Sequence, residues 1–526
     1  MDAPTWPPGR LLLLVCALVL HFRRALPGKI LLLPPMVPSH VIELCELGSE
    51  LVAWNHTVHI VMKSSATLPP RIRHSGIKII PYTTKDNADP FRDDPFKTSA
   101  DSSYNGRMAS PGGLLRKMKQ FDIFSRRECE SVLGNDNLYA TLKSHQFDIV
   151  IVGGFAVTSC LYVIPHRLGV PYGTVTAMTW TYISFIQSLS SISPTRHTEF
   201  TDRMSFIERL RNLFHSRLGS ALTSSYFDTA EYNRYTPDRP YTSLVSLAQQ
   251  SKFWFLNMDG IMDYPVPRMP NVFYVGGLVT RQANLVGIPD DLLRFADGAH
   301  HGLIIASFGT TIAHIPNATV RVFLDSFRRI PQRVIWKYLE PIDCAVPDNV
   351  LIRKWIPQND LLGHRNTRLF ITHCGSNGQY EALFHGVPML GFPFTADQPY
   401  NARRMTKKGF GLRMDMASTS SDELVNNINE LITNVTFKNN IQKASAIFRD
   451  FQHPRQRAAF WVNHIMKYGA EHLTSEARHL AWYQVLMLDV MVAILAAVVV
   501  ILYCLYTCAK LLWRHCGHVT LKVKAE

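Results

Sequence analysis

The side chains best suited to hold a phosphorylated ligand stand at the ends of apolar runs in the C-terminal half of the chain. Leu303 to Ser307 leads into Ser307-Phe-Gly309-Thr310, small groups that let a ligand approach the backbone. A second run ends at Trp355, with Pro357 and Gln358 close behind. A third ends at His373 and passes through Cys-Gly375-Ser376-Asn377-Gly378 into a helical stretch, Gln379 to His385, that carries Glu381. A fourth, Pro388 to Pro393, is followed by Asp397 and Gln398.

These residue types suit a sugar nucleotide. A glycine-rich turn over Gly375 to Gly378, just before a helix, aims unpaired N–H groups and the positive end of the helix dipole at a diphosphate. Trp355 offers a flat face to a base, and Glu381, one turn into the helix, can accept hydrogen bonds from ribose hydroxyls. Asp397 and Gln398 can hold sugar hydroxyls. Taken singly, each has a plainer explanation: Trp355 in a core, His373 as a satisfied strand-end histidine, the glycines as a tight turn. On successive strand ends they point to one ligand site, because open parallel sheets bind ligands beyond the carboxyl ends of their strands.

Elements of the right kind are present to position them. Lys29 to Pro34 (KILLLP), Val58 to Met62, Ile77 to Ile80 and Phe147 to Val152 (FDIVIV) read as strands, the last fully buried. In the second half Leu303 to Ser307, Val334 to Trp336, Val350 to Trp355, Arg368 to His373 and Pro388 to Pro393 read the same way, with helical stretches between most of them. Apolar strands alternating with helices predict α/β domains, each a parallel sheet covered on both faces. With 526 residues, two such domains of roughly 200 residues each are expected. The boundary falls in the loop-rich stretch from Gly277 to Asp297, giving a first domain over 26–280 and a second over 281–450. Ser39, after the loop Pro34-Pro-Met-Val-Pro38, is placed to cap a helix beginning at His40. No GxGxxG follows the first strand of either domain, which argues against a dinucleotide-dependent oxidoreductase.

The run Trp355-Ile-Pro-Gln-Asn-Asp-Leu-Leu362, then Phe370-Ile-Thr-His373, Asn377-Gly378, Tyr380-Glu-Ala382, His385-Gly-Val-Pro-Met389 and Asp397-Gln-Pro399 resembles the UDP-glycosyltransferase signature. The resemblance is to the animal membrane-bound, UDP-glucuronosyltransferase-like branch and covers essentially the whole chain. It implies a GT-B fold of two facing Rossmann-like doubly wound domains, and an inverting enzyme with no metal or cofactor beyond the UDP-sugar co-substrate. It implies that Trp355 and Gln358 meet uracil and Glu381 the ribose. Ser307, Gly309, His373, Gly375, Ser376, Asn377 and Gly378 would surround the diphosphate, and Asp397 and Gln398 the sugar. The first domain would bind a small lipophilic acceptor, and His40 would be the general base, an imidazole of near-neutral pKa suiting that task. Three positions depart from the family pattern. Gly153 stands where relatives often place an Asp that orients this histidine, so another carboxylate takes the role, or His40 acts unaided, or the protein binds UDP-sugar with impaired catalysis. Asn257 stands where glucuronosyl-transferring relatives have a basic residue, and Cys374 where many have glycine.

The two ends carry targeting signals. Arg10 and the apolar run Leu11 to Leu20 are too short to span a bilayer and read as a signal peptide over 1–25. Val490 to Ala509 would form a helix ~30 Å long, enough to cross a membrane, within a predicted span of 485–509. A helical segment over 451–484 leads to it, overlapping residues 437 to 480, which read as helical and amphipathic. The tail over 510–526 carries Lys510, Arg514, Lys522 and Lys524, so the positive-inside rule places it in the cytoplasm and the body in the lumen. The tail resembles a retrieval signal of endoplasmic reticulum membrane proteins. That topology would expose the sequons at Asn55, Asn317 and Asn434 to glycosylation. Of nine cysteines, Cys45, Cys129, Cys160, Cys344 and Cys374 fall in the luminal body, with no CxxC spacing to suggest a zinc or redox site. An odd number leaves a thiol free or paired between chains, so a homo- or hetero-oligomer stays open. The formal charge of +14 is scattered and, in a luminal body, does not suggest nucleic acid.

Overall fold

The computed structural model describes residues 27–35, 37–66, 70–84, 123, 125–154, 156–176, 190–195, 198–227, 230–310, 315–394, 396–476 and 480–523. The signal peptide read over 1–25 lies outside them. The body contains two all-parallel sheets. The first has seven strands in the order β3-β2-β1-β4-β5-β6-β7: β1 (Lys29–Leu33), β2 (Thr57–Lys63), β3 (Lys78–Tyr82), β4 (Ile149–Gly153), β5 (Tyr172–Thr176), β6 (Trp254–Leu256) and β7 (Val272–Tyr274). The second has six in the order β10-β9-β8-β11-β12-β13: β8 (Leu303–Ser307), β9 (Arg333–Lys337), β10 (Val350–Arg353), β11 (Thr367–Thr372), β12 (Met389–Gly391) and β13 (Gly411–Arg413).

Alternation within the central strands explains why they read as unbroken apolar runs. Leu31 and Leu33 of β1 join one core cluster while Ile30 and Leu32 join another, on opposite faces of the sheet. In β8, Ile304 and Ala306 face one core and Leu303 and Ile305 the other. Both faces are covered, so no polar alternation survives in the sequence.

Strand order decides where a ligand can bind. In each sheet the order reverses between two neighbouring strands, β1 and β4 in the first and β8 and β11 in the second. The connections there leave in opposite directions and open a crevice at the carboxyl ends. Register brings Leu33 beside Val152, and Ser307 beside Thr372. His40 follows β1, Gly153 ends β4, Ser307 ends β8 and His373 follows β11, so these residues stand at the two switch points.

Five helices matter below: α1 (Pro38–Ala53), α2 (Ser376–His385), α3 (Gln398–Lys407), α4 (Pro454–Tyr468) and α5 (Leu488–Val523). Three local expectations are corrected. Ser39 does not cap α1; Val37 is the N-cap, without a side-chain cap, and Pro38 holds the first helical position. Proline fits there because its ring presets φ and its missing N–H would have had no partner. The strand expected to reach Trp355 stops at Arg353. The turn read over Gly375 to Gly378 is the start of α2, with Gly375 as N-cap and Ser376, Asn377 and Gly378 in the first turn.

Helix α4 folds back onto the first half of the body. Ala458, Ala459, Val462 and Ile465 share a core with Val41, Leu44 and Leu51 of α1, and Arg455 pairs with the buried Glu46 at 2.9 Å. Residues 474–526 form a separate unit containing α5. Its stretch Leu488–Arg514 is long and apolar enough to cross a membrane.

Candidate active site

The end of β8 and the start of α2 form a cradle of small groups around one imidazole. Gly309 has φ +78°, and a Cβ there would lie 2.5 Å from His373 Nε2. A Cβ on Gly375 would lie 2.4 Å from the same nitrogen. The His373 ring is therefore held between two backbones that only glycine allows to come so close. Burial lowers the His373 pKa to about 4, with Lys337 adding to the effect and Asp397 opposing it, so the ring is neutral at physiological pH. A neutral ring offers one N–H donor and no charge.

Three buried polar atoms here lack a hydrogen-bond partner: Ser307 Oγ, His373 Nδ1 and Ser376 Oγ. Orphaned polar atoms at a buried site cost about 1–3 kcal/mol each unless something fills their valence. Here they stand beside the N-terminus of α2, where backbone N–H groups and the helix dipole favour an anion. Cys374 sits at φ +63° and Ala396 at φ +56°, a left-handed backbone that costs a non-glycine residue about 1–2 kcal/mol. The cysteine therefore occupies a conformation in which glycine would be unstrained. Its buried thiol is pushed up to about 12.

The remaining donor residues divide into those that face outward and those already engaged. Trp355 is 59% exposed, which rules out the core explanation for it. Gln358 donates from Nε2 to Glu381 Oε2 at 2.5 Å, joining the residues expected at base and ribose. Burial raises the Glu381 carboxyl to about 7, against the pull of Gln358 and Arg281. Gly378 lies beside Gln358, a Cβ there falling 3.4 Å from its Nε2. Asp397 Oδ2 accepts from Asn401 at 2.6 Å, and the Gln398 carbonyl accepts from the Phe394 N–H at 2.8 Å.

His40 comes to this site from the first half of the body. Its Nδ1 lies 3.5 Å from Glu43 Oε2, one turn further along α1. Burial works to lower its pKa, but the Glu43 carboxylate, with Asp397 adding to it, raises the net value. Glu43 Oε1 accepts from Asn257 Nδ2 at 3.0 Å, and Asn257 Nδ2 also donates to Asn377 Oδ1 at 3.0 Å. The Asn257 carbonyl accepts from the Gly277 N–H at 2.9 Å. A continuous path thus runs from His40 through Glu43 and Asn257 to the first turn of α2.

Sequence reasoning passed over Glu43, although a His and a Glu three apart on a helix stand on one face. It also passed over Asp263, Gln379 and Arg404. The fully buried Arg404 pairs with Asp263 Oδ1 and donates to Gln379 Oε1 at 3.1 Å. Tyr380 donates to Asp263 Oδ2 at 2.9 Å, so the group clamps α2 and α3 to the loop after β6. No sequence signal joins residues so far apart. Gly153 leaves no room for the Asp expected there from the family resemblance, since a Cβ would meet Pro35 Cδ at 2.1 Å.

Cys129 and Cys160 form a disulfide, while Cys45, Cys344 and Cys374 are free thiols. Asn55 is exposed at φ +68°, and Asn317 is exposed at the start of a helix. Asn434 is half-buried, donates to Glu430 and caps the following helix. Among the described residues no group of three His, Cys, Asp or Glu is arranged to hold a metal.

Two parallel α/β sheets, each with polar residues at its switch point, have the architecture of the GT-B fold. Solved structures agree on the fold. The glycotransferase of kitacinnamycin superposes with a TM-score of 0.59 at 20% identity, covering 84% of this chain and 99% of its own. The calicheamicin glycosyltransferase CalG4 gives 0.53 at 16%, covering 84% and 99%. The chain belongs to the UDP-glycosyltransferase family: residues 28–523 match the sequence profile described as UDP-glucoronosyl and UDP-glucosyl transferase. It is 31% identical to human UDP-glucuronosyltransferase 1A7, over 97% of this chain and 96% of that protein. It is 29% identical to rat 2-hydroxyacylsphingosine 1-beta-galactosyltransferase, over 93% and 89%.

Proposed function

We propose that the protein transfers a hexosyl or glucuronosyl unit from a UDP-sugar to a hydroxyl of a small lipophilic acceptor, with inversion and without a metal. The observation that carries this reading is the pair of hydrogen bonds from Asn257 Nδ2 to Glu43 and to Asn377, which link the helix bearing His40 to the first turn of α2. A base and a diphosphate cradle then share one site.

The acceptor hydroxyl gives its proton to His40 as its oxygen bonds to the anomeric carbon. The bond from that carbon to the β-phosphate oxygen breaks, and UDP leaves with the electron pair. Ser307, the neutral His373, Ser376 and the N–H groups of α2 meet the charge on the leaving group. Trp355 and Gln358 hold uracil, Glu381 the ribose, and Asp397 and Gln398 the sugar. Within the donor class, an uncharged hexose fits better than glucuronate. Asn257 carries no positive charge, spends both N–H groups on Glu43 and Asn377, and stands beside the buried carboxylate of Glu43.

The apolar stretch in α5 anchors the chain as a single-pass protein of the endoplasmic reticulum membrane, with the body in the lumen and the three sequons open to glycosylation. A disulfide in the body supports an oxidising compartment. The test is sugar transfer in permeabilised membranes, with labelled UDP-glucose, UDP-galactose, UDP-xylose, UDP-N-acetylglucosamine and UDP-glucuronic acid and a panel of phenol, steroid and bile-acid acceptors. Product formed by the natural chain and lost in His40→Ala supports the reading. UDP binding without product from any donor would overturn it in favour of a UDP-sugar-binding protein.

A further inference from the structure

We infer that Glu43 is the carboxylate that orients and charge-stabilises His40, taking the place vacated at Gly153, and that Asn257 holds Glu43 in that role. The inference rests on the transfer reading above and names a positioning residue for it.

Three observations converge. The first is exclusion: the end of β4 cannot supply an acid, because the space a side chain on Gly153 would need is filled by the Pro35 ring. The second is geometry. Glu43 is 2% exposed, and its Oε2 has no hydrogen bond of ordinary length yet lies 3.5 Å from His40 Nδ1. A buried carboxylate oxygen left unfilled at that distance is poised for an imidazole N–H that closes by a few tenths of an ångström. The third is restraint. Glu43 Oε1 is fixed by Asn257 Nδ2, so the carboxylate cannot rotate away without breaking the bridge to α2.

Two other acids among the described residues have partners of their own. Glu46, on the same helix, is paired with Arg455. Asp397, before α3, accepts from Asn401. With Nδ1–H turned to Glu43, the basic lone pair falls on Nε2, the nitrogen that must take the acceptor's proton. Glu43 then balances the charge of the imidazolium as the proton arrives.

Glu43→Gln keeps size and the contact with Asn257 but can present an N–H to Nδ1, forcing the opposite tautomer. We expect kcat to fall by about 10²- to 10⁴-fold, with KM for the UDP-sugar changed less than threefold and UDP affinity unaltered. Glu43→Asp, which keeps the charge at longer reach, should recover part of the loss. A readout independent of turnover is the pH dependence of diethyl pyrocarbonate modification of the His40 peptide, followed by mass spectrometry. Removing the opposite charge should lower its midpoint by about one unit or more.

Near-normal kcat in Glu43→Gln, in a chain whose activity is lost in His40→Ala, overturns the inference. So does an unmoved His40 midpoint. A lowered midpoint in a chain that transfers no sugar supports the Glu43–His40 coupling while overturning the transfer reading, so the two failures are distinct.

Discussion

Glu381 should make stability fall as pH rises between about pH 4.5 and pH 7. Burial raises its carboxyl from the ordinary 4.5 to about 7 in the folded protein. A difference of about 2.5 units corresponds to ~3 kcal/mol between the two protonation states. The folded chain thus keeps a proton that the unfolded chain surrenders at lower pH. That contribution is complete below about pH 4.5, declines as pH rises and is gone above about pH 7. Glu381→Gln is nearly isosteric, and its side-chain oxygen can still accept from Gln358. The difference in stability between the variant and the natural chain cancels the other titrating groups. It should grow from pH 4.5 to pH 8, in favour of the variant, by up to ~3 kcal/mol. In detergent, thermal unfolding at a series of pH values would show the two melting temperatures separating by a few degrees as pH rises. Added UDP gives a second reading. Ribose hydroxyls that donate to Glu381 favour its ionised form, so UDP should stabilise the natural chain more at pH 8 than at pH 5, with less pH dependence in the variant. Melting temperatures that stay parallel from pH 4.5 to 8 would refute the placement of this carboxyl in a desolvating pocket.

Two further expectations follow from packing and covalent structure. Gly153→Asp supplies the acid expected from the family resemblance but drives a side chain into Pro35, so it should lower stability by at least the ~1–3 kcal/mol typical of overpacking, without raising activity. A variant as stable as the natural chain and more active would contradict that reading of the β1–β4 crevice. The Cys129–Cys160 bridge closes a loop with a sequence separation of 31, so Cys129→Ser should cost about 3–4 kcal/mol by the chain-entropy estimate. Denaturant unfolding measures the cost, and peptide mapping without reductant should find this pair linked and Cys45, Cys344 and Cys374 free.

The strand ends assigned to the donor half of the proposed site could be picked out in the sequence because what places them is local. Ser307, His373, Asn377, Glu381 and Asp397 lie at or just beyond the carboxyl ends of apolar runs, and the polypeptide itself holds each within a few residues of its strand. The runs also carried the fold class, since only a strand covered on both faces is apolar throughout. The place of His40 after the first strand was legible, although the start of its helix was misread: Pro38 prefers the first helical turn, and Ser39 offered a false cap. The apolar stretch of α5 announced itself by composition alone.

What the sequence could not show depends on strand order and on distance along the chain. Gly153 read as a gap in the catalytic pattern, and only the parallel pairing of β1 with β4 shows that Pro35 fills the vacated space. Asn257 read as a lost basic residue, whereas in the fold it joins Glu43 to Asn377 across 214 and 120 positions of sequence. Arg404 drew no reading from the sequence, yet it is wholly buried against Asp263 and Gln379. Local sequence determines which residues end a strand or open a helix, because those choices follow from backbone conformation over a few residues. The spacing of His40 and Glu43 on one helix face is local, but which strand ends meet, and whether the end of β4 has room for an acid, is decided by long-range packing that no local pattern encodes.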